Sequence, residues 1–230
     1  MVTTLYIVRH AQAKGNMART FQGQINSDVS EAGEVQLSLL KKRFETIPVD
    51  VIATSPLVRA KKTAEAILAA QPQAQFLLRD DLMEINAGGF EGQKWDDLPR
   101  LFPEEFAVWR DDLAHFQAPN GESCAEVYDR MKRAAFDLVQ TYQGKTIVLV
   151  SHGCAVKNLL CALSGLPILR IFEIPWVENT SVSQVCFDEF MQPQVVFIND
   201  TQHLNGVNLP APVYWKENSE NQEANVMKIL

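Results

Sequence analysis

Six short strand-like runs, mostly separated by helix-patterned segments, constrain this chain more than any other feature. They fall at residues 4–9, 50–54, 75–79, 146–151, 181–187 and 194–198. Strands that alternate with helices read as α/β. The expected architecture is a three-layer α/β/α sandwich with a mostly parallel central sheet. The last two runs lie close enough to pair as an antiparallel hairpin through "DEFMQPQ".

Helix signals fill the gaps. Over 30–45, Ser30 is a capping residue, Glu31 and Glu34 sit in the first turn, and Val35, Leu39, Leu40 and Phe44 share a face. In "TSPLVRAKKTAEAILAA" Ser55 reads as the N-cap and Pro56 as N1, with Leu57, Ala60, Ala64, Ile67 and Leu68 as the buried stripe. Residues 122–142 carry Val127, Met131, Ala134, Ala135, Leu138 and Val139 at helical spacing. A further helix follows "SHG" and stops at Gly165 and Pro167.

Between these, 85–120 reads as a loop and short-helix insertion dense in aromatic residues. The chain divides into one domain at 1–204 and a polar C-terminal tail at 205–230. The stretch "IFEIPW" fits either an apolar surface for a homodimer or a buried strand.

Composition narrows the function classes. At 230 residues the chain can bury roughly 70% of its unfolded surface. With 21 Lys plus Arg against 28 Asp plus Glu, the net charge is −7, which repels polyanions and argues against nucleic-acid binding. No apolar run approaches the roughly 18 residues a membrane helix needs. The N-terminus lacks the pattern of a secretory signal, and Cys124, Cys154, Cys161 and Cys186 form no CxxC pair. The expected setting is therefore cytoplasmic, with reduced thiols.

Against that acidic background, cations at strand ends stand out. Arg9 and His10 follow the first strand, Arg59 the second, and His152 the fourth. Ligands of an open α/β sheet bind beyond the carboxyl ends of its parallel strands. Arg59 falls in the first turn of its helix, where the macrodipole disfavours a cation unless an anion or carboxylate offsets it. Phosphate suits all these positions, because helix starts also offer free N–H groups.

Each residue alone has a plainer reading: Arg59 paired with Asp28 or Asp50, and His152 as a hydrogen-bonded half-buried histidine. Their coincidence at one sheet edge favours an anion pocket. A metal site is disfavoured, since neither histidine has a second ligand at metal spacing and arginines repel a dication. Cys154 reads as a small buried thiol.

Taken in order, these segments resemble the histidine phosphatases, the phosphoglycerate mutase-like superfamily. The likeness covers about 3–204 and rests on "YIVRH", Asn16 with "FQG", "SPLVRAKKTAEAI", "LMEINAGGFEG", "PNGES", "VLVSHG", "ENTSVS" and "NDTQHL". The resemblance implies a phosphomonoesterase acting on a small-molecule phosphate ester, with no cofactor and no metal. His10 would be the nucleophile that forms a phosphohistidine. Arg9, Arg59 and His152 would hold the phosphoryl oxygens, and Glu84 would serve as general acid and then base. Asn16, Phe21, Gln22, Gly23 and Gly153 would line the substrate site.

Two departures stand out. Ala11 replaces the family's usual glycine, and Ala13 its serine or threonine, so some phosphate affinity should be lost. In the mutase branch the glutamate is followed by Arg-His-Tyr-Gly, whereas Glu84 precedes Ile85, Asn86, Ala87 and Gly88. Hydrolysis is thus the better reading, with mutase-type transfer and noncatalytic phosphate binding as alternatives. Phe21, Phe90, Trp95 and Trp109 form either an apolar wall for the leaving group or core packing.

Overall fold

The computed structural model describes residues 2–208, so the greater part of the expected C-terminal tail lies outside the described residues. The strands are β1 (Thr3–Arg9), β2 (Val51–Thr54), β3 (Gln75–Leu78), β4 (Thr146–Ser151), β5 (Val182–Phe187) and β6 (Pro193–Asp200). They form one sheet in the order β3-β2-β4-β1-β5-β6. The first four are mutually parallel, while β5 runs antiparallel to β1 and pairs with β6 as a hairpin. The sheet is mostly parallel, as the alternation of elements dictates.

Strand side chains alternate between two cores, as the period of a strand requires. Val8, Ile52, Val148, Val150 and Val182 face α2 (Glu31–Phe44) and α3 (Val58–Ala70); the short α1 (Lys14–Met17) precedes them in the chain. Leu5, Ile7, Val51, Ala53, Ile147, Leu149 and Val185 face the other way. That side holds two short helices, α4 (Leu98–Leu101) and α5 (Pro103–Asp111), and two longer ones, α6 (Cys124–Thr141) and α7 (Gly153–Leu163). Three layers result, α/β/α.

Local chemistry sets the helix ends. The Ser30 hydroxyl accepts from the Gly33 amide at 3.1 Å. Ser123 and Glu126 form a reciprocal capping box at the start of α6, each accepting from the other's backbone N–H. Gly33 is required for packing, because a Cβ there would lie 2.2 Å from the Gln12 carbonyl oxygen.

Three local expectations need correction. Helix α3 starts at Val58 after Leu57, not after Ser55, whose hydroxyl accepts from the Leu57 amide just ahead of the helix and also meets His152. On α2, Val35 is exposed and Gln36 is buried in its place, accepting from the Gln12 amide at 2.8 Å. "IFEIPW" holds no strand: a 3₁₀ segment at Ile168–Glu173 buries Ile171, Ile174 follows it and is also buried, and Phe172 is exposed.

Segment 85–120 folds as short 3₁₀ turns and helices whose rings join the α6/α7 core. Phe90 is fully buried and its ring meets Phe21, Phe102 and Phe116 at centroid distances of 5.5, 5.2 and 5.5 Å. Phe90→Ala should cost about 3–5 kcal/mol, read as a lowered urea midpoint at unchanged slope.

Candidate active site

The C-terminal ends of β2, β4 and β1 are neighbours in the sheet, so the residues just beyond them share one edge. Arg9 ends β1 and His10 follows it. The His10 amide donates to the Ser151 carbonyl of β4 at 2.9 Å, and the His10 carbonyl accepts from the Asn179 side-chain amide at 2.8 Å. On the same side the Thr180 N–H donates to the Arg9 carbonyl at 3.0 Å. The turn carrying both residues is therefore held from two directions.

His10 and His152 are both buried, with ring centroids 5.1 Å apart. His10 Nδ1 lies 2.6 Å from the Ala11 carbonyl oxygen, which can only accept, so Nδ1 carries the proton and Nε2 has a lone pair. Burial first, then the Arg59 and Arg9 guanidinium charges, hold the His10 imidazole well below the ordinary histidine range. His152 is the residue before α7, and its Nε2 lies 2.8 Å from Ser55 Oγ. Burial, then Arg59, His10 and Arg9, likewise depress its pKa. Both rings are neutral at pH 7.

Arg59 is 1% exposed and pairs with neither Asp28 nor Asp50, which instead meet Lys62 and Lys145. Its guanidinium donates to the carbonyls of Gly23 at 2.7 Å and Ile25 at 2.8 Å. Burial lowers its pKa to about 10, with Glu84 and Glu91 opposing that shift and Arg9 adding to it. Two carbonyls fix the cation in place while neutralising none of its charge.

Arg9 is 7% exposed; it donates to the Val177 carbonyl and lies against Gly153, where a Cβ would come 3.4 Å from the guanidinium carbon. Glu84 reaches the start of α7: its carboxylate accepts from the amides of Ile85 at 3.0 Å, Ala155 at 2.9 Å and Cys154 at 3.1 Å. Asn16 is buried and accepts from the Ala13 amide at 2.8 Å. Gln22 packs over Gly15 with its side-chain oxygen buried and without a hydrogen-bond partner. Gly23 adopts φ +50°, and a Cβ there would strike Glu91.

The aromatic residues sort differently. Phe21 is buried against Phe90, Trp95 and Trp109, and Phe90 and Trp109 are buried with it, so these three pack as core; Trp95 is half-buried at its edge. The Cys154 thiol is buried and pushed well up by a hydrogen bond with Cys124 and by burial, which leaves it a packing group. Among the described residues, no three His, Cys, Asp or Glu side chains are grouped to hold a metal ion. No helix there is long and apolar enough to cross a membrane.

Four residues without an assigned role bear on the site. Ser55 holds His152, Asn179 holds His10, and Thr63 Oγ1 accepts from the Ala11 amide at 2.9 Å. Glu91 accepts from the Gln24 amide at 2.8 Å and braces the loop beneath Arg59. Asn179 sits in "ENTSVS", the one local signal available; Ser55 was masked by its resemblance to a helix cap.

The buried neutral imidazoles have a consequence for stability. In the unfolded chain both bind protons below about pH 6.5, whereas folded His10 and His152 resist protonation to well below it. Stability is therefore complete above pH 6.5 and falls as pH drops. The slope approaches about 1.4 kcal/mol per pH unit for each imidazole until its folded pKa is reached. Urea midpoints measured between pH 7.5 and 5 check this, and His152→Gln should flatten the dependence.

Comparison with known proteins agrees with this geometry. The sequence profile of the histidine phosphatase superfamily (branch 1) matches residues 5–201. Phosphoserine phosphatase 1 of Hydrogenobacter thermophilus is 30% identical over 87% of this chain and 93% of its own length. A protein named "probable phosphoglycerate mutase GpmB" from Escherichia fergusonii is 33% identical over 80% of this chain and 85% of its own. Among solved structures, Bacillus stearothermophilus YhfR superposes with a TM-score of 0.82 at 29% identity, over 88% of this chain and 99% of that one. With the profile spanning most of its length, the chain belongs to the histidine phosphatase superfamily, branch 1.

Proposed function

We propose that the chain is a phosphoric monoester hydrolase that works through a phosphohistidine on His10 and needs no metal. One observation carries this reading. His10 is buried with Nδ1 committed to the Ala11 carbonyl, and the buried Arg59 and Arg9 guanidiniums act on its ring and help hold its pKa well below the ordinary histidine range. A neutral imidazole with a free Nε2 lone pair is a nucleophile, and fixed cations beside it stabilise the charge that develops on transferring phosphoryl oxygens.

In the proposed reaction Nε2 attacks phosphorus, the ester P–O bond breaks, and the leaving alkoxide takes a proton from the Glu84 carboxyl. Water then attacks phosphorus, giving a proton to Glu84 as the new P–O bond forms; the P–N bond breaks, its electron pair returns to His10 Nε2, and phosphate is released. Arg9, Arg59 and His152 hold the phosphoryl oxygens throughout, with Asn16, Gln22, Gly23 and Gly153 at the rim. Carboxyl Oε2 of Glu84 accepts only from the Cys154 amide among the contacts described, which supports a role in proton exchange.

Hydrolysis is favoured over mutase chemistry because Ile85 and Ala87, immediately after Glu84, are buried apolar residues that offer no cation to a second phosphate. The relatives' names point to a small phosphate ester as substrate. A panel of L-phosphoserine, 3-phosphoglycerate, sugar phosphates and an aryl phosphate, each followed for phosphate release and for isomerisation, tests the reading. Phosphate release that persists in EDTA is expected. Isomerisation without release would make the chain a mutase.

Four free cysteines support a reducing, cytoplasmic setting. Exposed Leu169 and Phe172 support self-association, which sedimentation velocity checks.

A further inference from the structure

His152 is fully buried, and its two ring nitrogens have unlike surroundings. Nε2 lies 2.8 Å from Ser55 Oγ. Nδ1 is buried and has no hydrogen-bond partner in the protein. Which nitrogen carries the proton decides whether His152 presents a donor or a lone pair to an incoming oxyanion. Counting hydrogen bonds at Ser55 resolves the choice.

Ser55 is fully buried and its hydroxyl has one proton to give and two lone pairs. One lone pair accepts from the Leu57 amide at 3.2 Å. The remaining contact described for Oγ is His152 Nε2. If Nε2 carried the proton, Oγ would accept twice and its own buried O–H would be left with no acceptor, a penalty of a lost hydrogen bond. If Nε2 is the lone pair, Ser55 donates to it and the hydroxyl is fully satisfied, which leaves the Nδ1–H as the single unpartnered group, where the other tautomer leaves both the Ser55 O–H and the Nδ1 lone pair unmet.

We infer that Ser55 is a positioning residue that selects the Nδ1–H tautomer of His152, so that a neutral imidazole donates from Nδ1 to a phosphoryl oxygen. The two histidines are then the same tautomer anchored by opposite nitrogens. His10 is tied at Nδ1 to the Ala11 carbonyl and shows its Nε2 lone pair; His152 is tied at Nε2 to Ser55 and shows its Nδ1–H. One ring attacks and the other donates, with no imidazolium charge added to those of Arg9 and Arg59. The inference rests on His152 acting as a phosphoryl-oxygen ligand, the role given it above.

The test reads the tautomer before it reads turnover. The chain holds four histidines, and ¹⁵N NMR of uniformly histidine-labelled protein at pH 7.5, with His152 assigned by its loss in His152→Gln, reports each ring. The expected result for His152 is a protonated Nδ1 and an unprotonated Nε2. Added inorganic phosphate should shift the Nδ1–H signal and leave Nε2 unprotonated.

Ser55→Ala should lose the single-tautomer pattern and lower kcat by roughly 10- to 100-fold, with a smaller change in KM. Ser55→Thr, which keeps the hydroxyl, should restore the pattern and most of the rate. A His152 ring protonated at Nε2, or at both nitrogens, in the unmodified protein overturns the inference whatever the activity. The expected tautomer with a phosphate-insensitive Nδ1 overturns the role of His152 as ligand while leaving the tautomer assignment standing.

Discussion

His10→Ala is expected to abolish turnover of an aryl phosphate, with a fall of roughly 10⁴-fold or more in kcat, while leaving the fold intact. The size follows from the loss of the nucleophile itself, for which neither arginine nor water is a substitute. The fold should survive because His10's backbone bonds to Ser151 and Asn179 do not involve its ring. Rapid alkaline quenching of the unmodified enzyme with substrate should trap one phosphate per chain in a base-stable linkage that later acid treatment releases, and the variant should trap none. Turnover retained in His10→Ala would remove the phosphohistidine from the reaction. Incubation with EDTA in parallel separates this from any metal-borne hydrolysis: the rate should be unchanged.

Arg59→Ala should damage both chemistry and stability, and by separable amounts. Its guanidinium is the fixed donor shared by the Gly23 and Ile25 carbonyls, so removal leaves the buried Gly23 carbonyl unsatisfied, at about 1–3 kcal/mol, while water can replace it at the exposed Ile25. Loss of a preorganised cation at the phosphoryl oxygens should take roughly a further 10²–10³ from kcat. Arg59→Lys should recover little, because one ammonium cannot present the planar fork that reaches both carbonyls. A third readout has a definite sign. Arg59 is the leading charge that depresses His10, so in Arg59→Ala the acid limb of the kcat/KM profile should move to higher pH. An unmoved limb would mean that the group titrating there is not His10.

Much of this molecule could be read from its residues, and what escaped did so for a physical reason. Arg9, His10 and His152 were legible because each ends an apolar run, and a charge at that point is anomalous unless something uses it. The stripes of α3 and α6 were legible because apolar spacing at 3.6 residues is a local property of the chain. Gln36 was not, since a glutamine buried to receive the Gln12 amide leaves no mark in a hydrophobic pattern. Ser55 and Asn179 act on residues 97 and 169 positions away, distances over which no local pattern carries information. A serine ahead of a proline and a helical stripe also has the look of a cap alone; here its hydroxyl accepts from the Leu57 amide short of the helix and meets a histidine from another strand end as well. The aromatic residues of 85–120 carried two readings that only packing could separate, and Phe90 and Trp109 belong to the core.

The position of β1 in the sheet has a bearing on how the protein is made. Its two neighbours are β4, where Thr4 pairs with Thr146, and β5, where Thr3 pairs with Phe187. On the ribosome the first strand therefore emerges long before either partner exists, and its apolar run must wait, exposed, until most of the chain has been synthesised. Contacts of such large sequence separation slow folding and lengthen the window for aggregation. Hydrolytic competence should accordingly be the last property acquired during refolding, appearing with closure of the sheet and not with earlier helix formation.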